Sequence, residues 1–279
     1  PTMLHEQSKS KSTVFFIVTG FGSFGSVLSN PTTDIANKLC GYISSKRSQI
    51  NQKASHPQVQ TKVFKTSAKS VEQELNQLYQ DILDWKNFTL PISSPTRSSF
   101  RENSDENNRK IVVVLHLGVH IKATKFRLER CAYNEATFRI PDEDGYSPSK
   151  ISIHNDHPFG ECFVTELDVN RLHCELSTRS ISRNLATNDS SSDVCCGVEV
   201  SVDPGRFVCN YTYCYSLKNC AAIKNNCEKE IGPGRLPPLV YSLFLHVPPF
   251  SVASEELQLS FITDLIHAIE HQLNGDHSN

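Results

Sequence analysis

Three stretches of this chain are apolar almost without a break: TVFFIVTGF at 13–21, KIVVVLHLGV at 110–119 and PLVYSLFLHV at 238–247. A strand with one wet face alternates apolar and polar residues. A strand that reads as a continuous apolar run is covered on both faces, as in a parallel sheet held between helices. A fourth run, GVEVSV at 197–202, and a shorter β-rich stretch, TKVFKTS at 61–67, add to the set. With 279 residues, 38% of them hydrophobic, the chain can bury a sizeable core.

Helical signals fall between those runs. Asn30 followed by Pro31 predicts a capped helix through TTDIANKL. Ser70 and Gln73 read as a capping-box pair opening VEQELNQLYQDIL, with Val71, Leu75, Leu78, Tyr79 and Ile82 on one face. A last helix is expected after Ser254, with Leu257, Phe261, Leu265, Ile269 and Leu273 as its core stripe. Strand alternating with helix predicts an α/β fold with a mainly parallel sheet. Two Ser- and Asn-rich segments break the rhythm, at about 93–110 and 177–193, and read as solvated insertions. The expected organisation is a polar tail over 1–12, one domain over 13–274 carrying both insertions, and a short tail over 275–279.

The charge balance narrows the partners. A net charge of -2 gives no footprint for nucleic acid or an anionic membrane. No apolar run approaches the roughly 18 residues a membrane span needs. The opening PTMLHEQSKSKST has no apolar stretch behind its charges, so no secretory signal and a cytoplasmic setting are expected. In such a reducing compartment the ten cysteines are expected as free thiols, and without any C-x-x-C spacing no metal or other cofactor is expected.

GFGSFG at 20–25 is a literal G-x-G-x-x-G after a strand and before a helix. A dinucleotide site also needs an acidic residue about 20 positions on, and a helix that starts inside the glycine motif. Between Asp34 and Glu72 there is no acidic residue, and the helix signal comes five residues after Gly25. An NAD-binding oxidoreductase is therefore the lesser alternative. What remains is a strand-end loop carrying Phe21 and Phe24. These are either core aromatics at a tight turn or an aromatic wall where α/β proteins place ligands.

Cys209 stands in SVDPGRFVCNYTYCYSL, after a strand-like run and at the mouth of a helix-like one. A helix N-terminus or a neighbouring imidazole turns a cysteine into a thiolate nucleophile, and such chemistry uses a histidine base with an orienting group. Among eleven histidines, His246 ends an apolar strand before a Pro pair, where its ring can point into a site. Among the carboxylates, Glu129 in FRLERCAYN is flanked by apolar residues on both sides. Each has a plainer reading: a structural histidine, and an exposed charge on a strand or loop.

The motifs VTGFGSFG…NP, HLGVHIKATKFRLERCAYN, FRIPDEDGYSP, SVDPGRFVCN and LFLHVPP occur in the order seen in pyroglutamyl peptidase type I, the pyrrolidone-carboxylate peptidase family of cysteine peptidases. Over roughly residues 14 to 273 the chain resembles that family. The resemblance implies a single three-layer α/β/α domain with a mixed sheet, and an exopeptidase that removes N-terminal pyroglutamate. It implies Glu129, Cys209 and His246 as the catalytic set and Arg139 as a supporting residue. Phe21 and Phe24 would sandwich the lactam ring, and the Val119 backbone, next to Gly118, would hydrogen-bond it. Pyroglutamyl peptides are the expected partners of a monomer or homo-oligomer. Pro204 replaces the family's usual Ala and removes one N–H near the nucleophile, so an inactive pyroglutamyl-peptide-binding homologue is the main alternative. Glu143 replaces the family's Asn.

Overall fold

The apolar runs are the middle of a sheet. The computed structural model describes residues 13–49, 57–84, 110–186, 196–225 and 238–276. In chain order its elements are β1 (Val14–Phe21), α1 (Pro31–Gln49), β2 (Gln58–Phe64), α2 (Ala68–Leu83), β3 (Ile111–Val119), β4 (Phe126–Glu129), β5 (Cys131–Tyr133), β6 (Cys162–Val164), α3 (Val169–Ala186), β7 (Val198–Ser201), α4 (Val208–Asn225), β8 (Leu239–Val247) and α5 (Glu255–Asp276). Six strands form one sheet in the order β2-β1-β3-β8-β4-β7, and β5 pairs with β6 apart from it. β2, β1, β3 and β8 are parallel; β4 runs antiparallel to β8 and parallel to β7. The fold is α/β with a mainly parallel, mixed central sheet.

Two cores flank this sheet. Ile35, Leu39, Leu172, Leu176, Ile262 and Ile269 pack α1, α3 and α5 on one face. Val71, Leu75, Tyr79, Val208, Tyr213 and Leu217 pack α2 and α4 on the other. Along β3 the odd residues Ile111 to Leu117 join the first core, while Val112 and Val114 join the second. Every residue of β3 is buried, which is why its sequence shows no alternation.

Local chemistry sets the helix starts. Asn30 accepts from the Thr32 N–H at 3.1 Å, as its cap position predicts. Gly20 allows this start to lie on the end of β1, because a Cβ there would stand 2.3 Å from the Thr32 carbonyl oxygen. The glycine thus serves a close strand–helix approach. For α2 the expected opening is three residues late. Ser67, not Ser70, is the cap, and its hydroxyl accepts from the Ser70 N–H at 3.2 Å. Asp142, from the IPDE stretch, adds an acceptor for the Ala68 N–H at 2.8 Å, a long-range partner that local sequence cannot reveal.

Of the second polar segment, residues 177–186 continue α3, and the rest of it lies outside the described residues. So do 93–109 of the first, the tail over 1–12, and 277–279. Among the described residues no helix is long and apolar enough to cross a membrane.

Candidate active site

The pleat of the sheet brings the site together. Gly118 of β3 stands beside His246 of β8, and Arg127 of β4 stands opposite His246 on its other side. Glu129 lies two residues further along β4, opposite Phe244, so it shares a face with His246 on the diagonal. His246 Nδ1 and Glu129 Oε1 are 2.8 Å apart. Glu129 is 0% and His246 4% exposed, so the pair is sealed from water. The Tyr213 hydroxyl fixes the end of β4 by donating to the Glu129 carbonyl at 2.9 Å.

α4 delivers the thiol. Gly205, at φ 79°, turns the chain out of β7, and its N–H donates to Asp203 Oδ1 at 3.1 Å. The first helical hydrogen bond runs from the Tyr211 N–H to the Phe207 carbonyl at 3.1 Å, which places Cys209 in the first turn. Asn210, 0% exposed, ties this turn to β5. It accepts from the Tyr133 N–H at 2.8 Å and donates to the Tyr133 and Glu135 carbonyls at 2.9 Å each. Pro204 sits buried before the turn in a trans peptide and leaves the helix start intact.

Gly118 admits the thiol. A Cβ at this position would stand 2.7 Å from the Phe244 ring and 3.1 Å from Cys209 Sγ. The thiol therefore lies over the β3 backbone at Gly118, the residue paired with His246. Burial alone would push the His246 pKa down. Hydrogen bonds to Cys209 and Glu129, with the negative charge of both, outweigh burial and raise it from 6.5 to about 9. His116, His120 and His154 move the other way, mainly through burial. A protonated imidazole between a thiol and a carboxylate can hold a thiolate and then give a proton to a leaving group.

The other expected site residues are less closely gathered. Phe21, 3% exposed, stacks on Phe244 at 6.4 Å and meets Phe64 edge-on at 6.3 Å. Phe24 is half-buried and packs on Phe207 at 5.9 Å. The two rings keep different company, Phe21 in the core beside Phe244 and Phe24 against Phe207. Val119 ends β3, beyond the last β1–β3 pair Thr19↔His116, so the backbone near it lies outside that ladder. Arg139 is exposed, next to Ile140, whose side chain crowds Gly25. Glu129 Oε2 has no hydrogen-bond partner, so Arg139 does not pair with the buried carboxylate. Instead Glu143, from the same stretch, accepts from the Gly25 N–H at 3.1 Å and ties down the glycine loop. Among the described residues no group of three or more His, Cys, Asp or Glu is placed to hold a metal ion.

Fold and site together define a class: a doubly covered α/β sheet presenting cysteine, histidine and glutamate near the C-terminal ends of its parallel strands. No family model matches the chain. Over 195 residues it is 26% identical to a pyrrolidone-carboxylate peptidase of Thermococcus litoralis, a match covering 70% of this chain and 64% of that one. The chain thus spans just under two thirds of that relative's length. A pyrrolidone carboxyl peptidase structure from the hyperthermophile Pyrococcus furiosus is 19% identical, with a TM-score of 0.63 over 93% of this chain and 99% of that one. The corresponding enzyme structure from Fervidobacterium islandicum AW-1 is also 19% identical, with a TM-score of 0.58 over 94% and 99%. This chain is similar in sequence to pyrrolidone-carboxylate peptidase and shares the fold of such proteins, as its five ordered motifs lead one to expect.

Proposed function

We propose that the protein is a cysteine exopeptidase that removes an N-terminal pyroglutamyl group from peptides. The observation that carries this reading is the buried His246–Glu129 pair at 2.8 Å, with the Cys209 thiol over Gly118, the residue paired with His246. His246 takes the Cys209 proton, and Glu129 fixes the ring tautomer and balances its charge. The thiolate attacks the carbonyl of the pyroglutamyl–X bond. N–H groups of the first α4 turn receive the developing oxyanion. His246 protonates the leaving amine, and water attacks the acyl-enzyme to release pyroglutamate and restore the thiol. Phe24 and Phe21 offer apolar surface to the lactam, and the backbone near Val119 offers the polar contacts. Free cysteines are in keeping with a reducing, cytoplasmic setting.

Pyroglutamate is a neutral lactam, whereas proline has the same ring size but a charged amine and no lactam carbonyl. A buried site built for the lactam rejects proline by roughly 10⁴-fold, because its polar groups are left unpaired and a charge enters apolar surroundings. The test is hydrolysis of pyroglutamyl- and prolyl-coumarylamide, with and without prior alkylation of Cys209. Cleavage of the first alone, abolished by alkylation, is expected. Equal rates on both amides would sink the lactam reading, and no hydrolysis of either would favour a binding homologue.

A further inference from the structure

His116 and Gly118 lie on the face of β3 that meets His246, and His120 follows directly after the strand ends at Val119. The rings here form a column. His116 lies 6.1 Å from Phe244, Phe244 lies 4.8 Å from His246, and His246 lies 5.8 Å from His120 at 84°. Gly118 leaves the gap in the column that Cys209 Sγ enters. In register His120 comes after the Val119↔Val247 pair, and Phe244 comes before His246, so the two rings bracket His246 from opposite ends. The His120 backbone is fixed, its N–H donating to the Val247 carbonyl at 2.9 Å and its carbonyl accepting from the Ala123 N–H at 2.8 Å. Its ring Nδ1 is buried with no hydrogen-bond partner. A buried orphan of this kind is costly, and its place against the reacting imidazole calls for an explanation.

We propose that His120 is a positioning residue for His246, its ring closing the end of the imidazole's site opposite Phe244 and keeping the nitrogen not bonded to Glu129 on Cys209. The inference rests on Cys209, His246 and Glu129 being the reacting set. The surroundings suit this role. Burial first, then the charges of His246 and Arg127, hold the His120 pKa below its ordinary 6.5, with Glu129 pulling the other way. His120 is thus harder to protonate than an ordinary histidine, whereas His246 is easier to protonate. A ring is needed here for its shape, and the polar atom is not.

The test is the rate of Cys209 alkylation by iodoacetamide against pH, which needs no substrate. His120→Ala frees His246 to swing from the thiol, so the thiolate loses part of its stabilising imidazolium. The rate at pH 7 should fall about tenfold and its half-maximal pH should rise. His120→Gln, which keeps polarity and bulk without a ring, should behave like Ala and serves if the Ala variant does not fold. His120→Phe should return the rate to within about threefold of the parent. With pyroglutamyl-coumarylamide, kcat should fall in the Ala variant while KM stays within about twofold. Ala and Gln variants with the parent's alkylation profile overturn the inference. So does a Phe variant as slow as Ala. Ring-dependent alkylation in a protein that cleaves no pyroglutamyl amide would support the positioning role and remove the substrate reading alone.

Discussion

At the scale of single residues, the site turns on a glycine and a histidine. Gly118 is required by contact, since any Cβ there meets both the Phe244 ring and the Cys209 sulfur. Gly118→Ala is expected to displace the thiol, with kcat reduced about 100-fold and stability lowered by about 1–3 kcal/mol, read from single-turnover kinetics and urea unfolding. His246 makes a pH signature. Its folded pKa of about 9 lies above its ordinary 6.5. The stability it contributes is therefore fully present below about 6.5 and is lost as pH rises through about 9. Unfolding free energy measured by urea titration from pH 6 to 10 should fall across that window. Cys209→Ala removes one cause of the raised pKa and should move the loss to lower pH. An unchanged profile would mean that the thiol does not hold the imidazolium. The helix-start and strand-end positions of Cys209 and His246 made them candidates in the sequence, and only the family resemblance singled them out. His120 was not legible there, because nothing in one sequence says which of eleven histidines will meet another ring.

At the scale of elements, legibility followed length and periodicity. β1, β3 and β8 are long and apolar, and their sequences announce strands buried on both faces. β4 spans only Phe126–Glu129, too short for a periodic signal, yet it carries the carboxylate. Glu129 read equally well as an exposed charge until its antiparallel pairing with β8 put it beside His246. The α2 cap fell at Ser67 because Asp142, far along the chain, supports that turn. α4 offers the clearest element-scale test. Asn210 is the anchor between the nucleophile's turn and β5, and removing it strands three backbone groups. Asn210→Ala should cost about 3 kcal/mol in urea unfolding and should slow Cys209 alkylation. Loss of stability without any change in alkylation would show that the anchor holds β5 and leaves the thiol's position to other contacts.

At the scale of the whole molecule, α/β class and mixed sheet were foreseeable, whereas strand order was not. Alternating strand and helix signals do not say that the last strand enters between β3 and β4. The polar segments invite a prediction at this scale. Replacing 94–108 by a short Gly/Ser linker should change unfolding free energy by less than about 1 kcal/mol, since loop-closure entropy grows slowly with length. Replacing the part of the second segment that continues α3 should cost more, because it removes the C-terminal turns of a helix (Val169–Ala186) that packs on the core. A large loss from the first replacement would mean that this segment packs on the core. The position of β8 has a further consequence, for the life of the chain during its synthesis. The sheet is joined across its middle only when β8 pairs with β3 on one side and β4 on the other. A growing chain that has already produced Cys209 and Glu129 still lacks the histidine that links them. The candidate thiol therefore stays without its imidazole on the ribosome until β8 has been made and has paired.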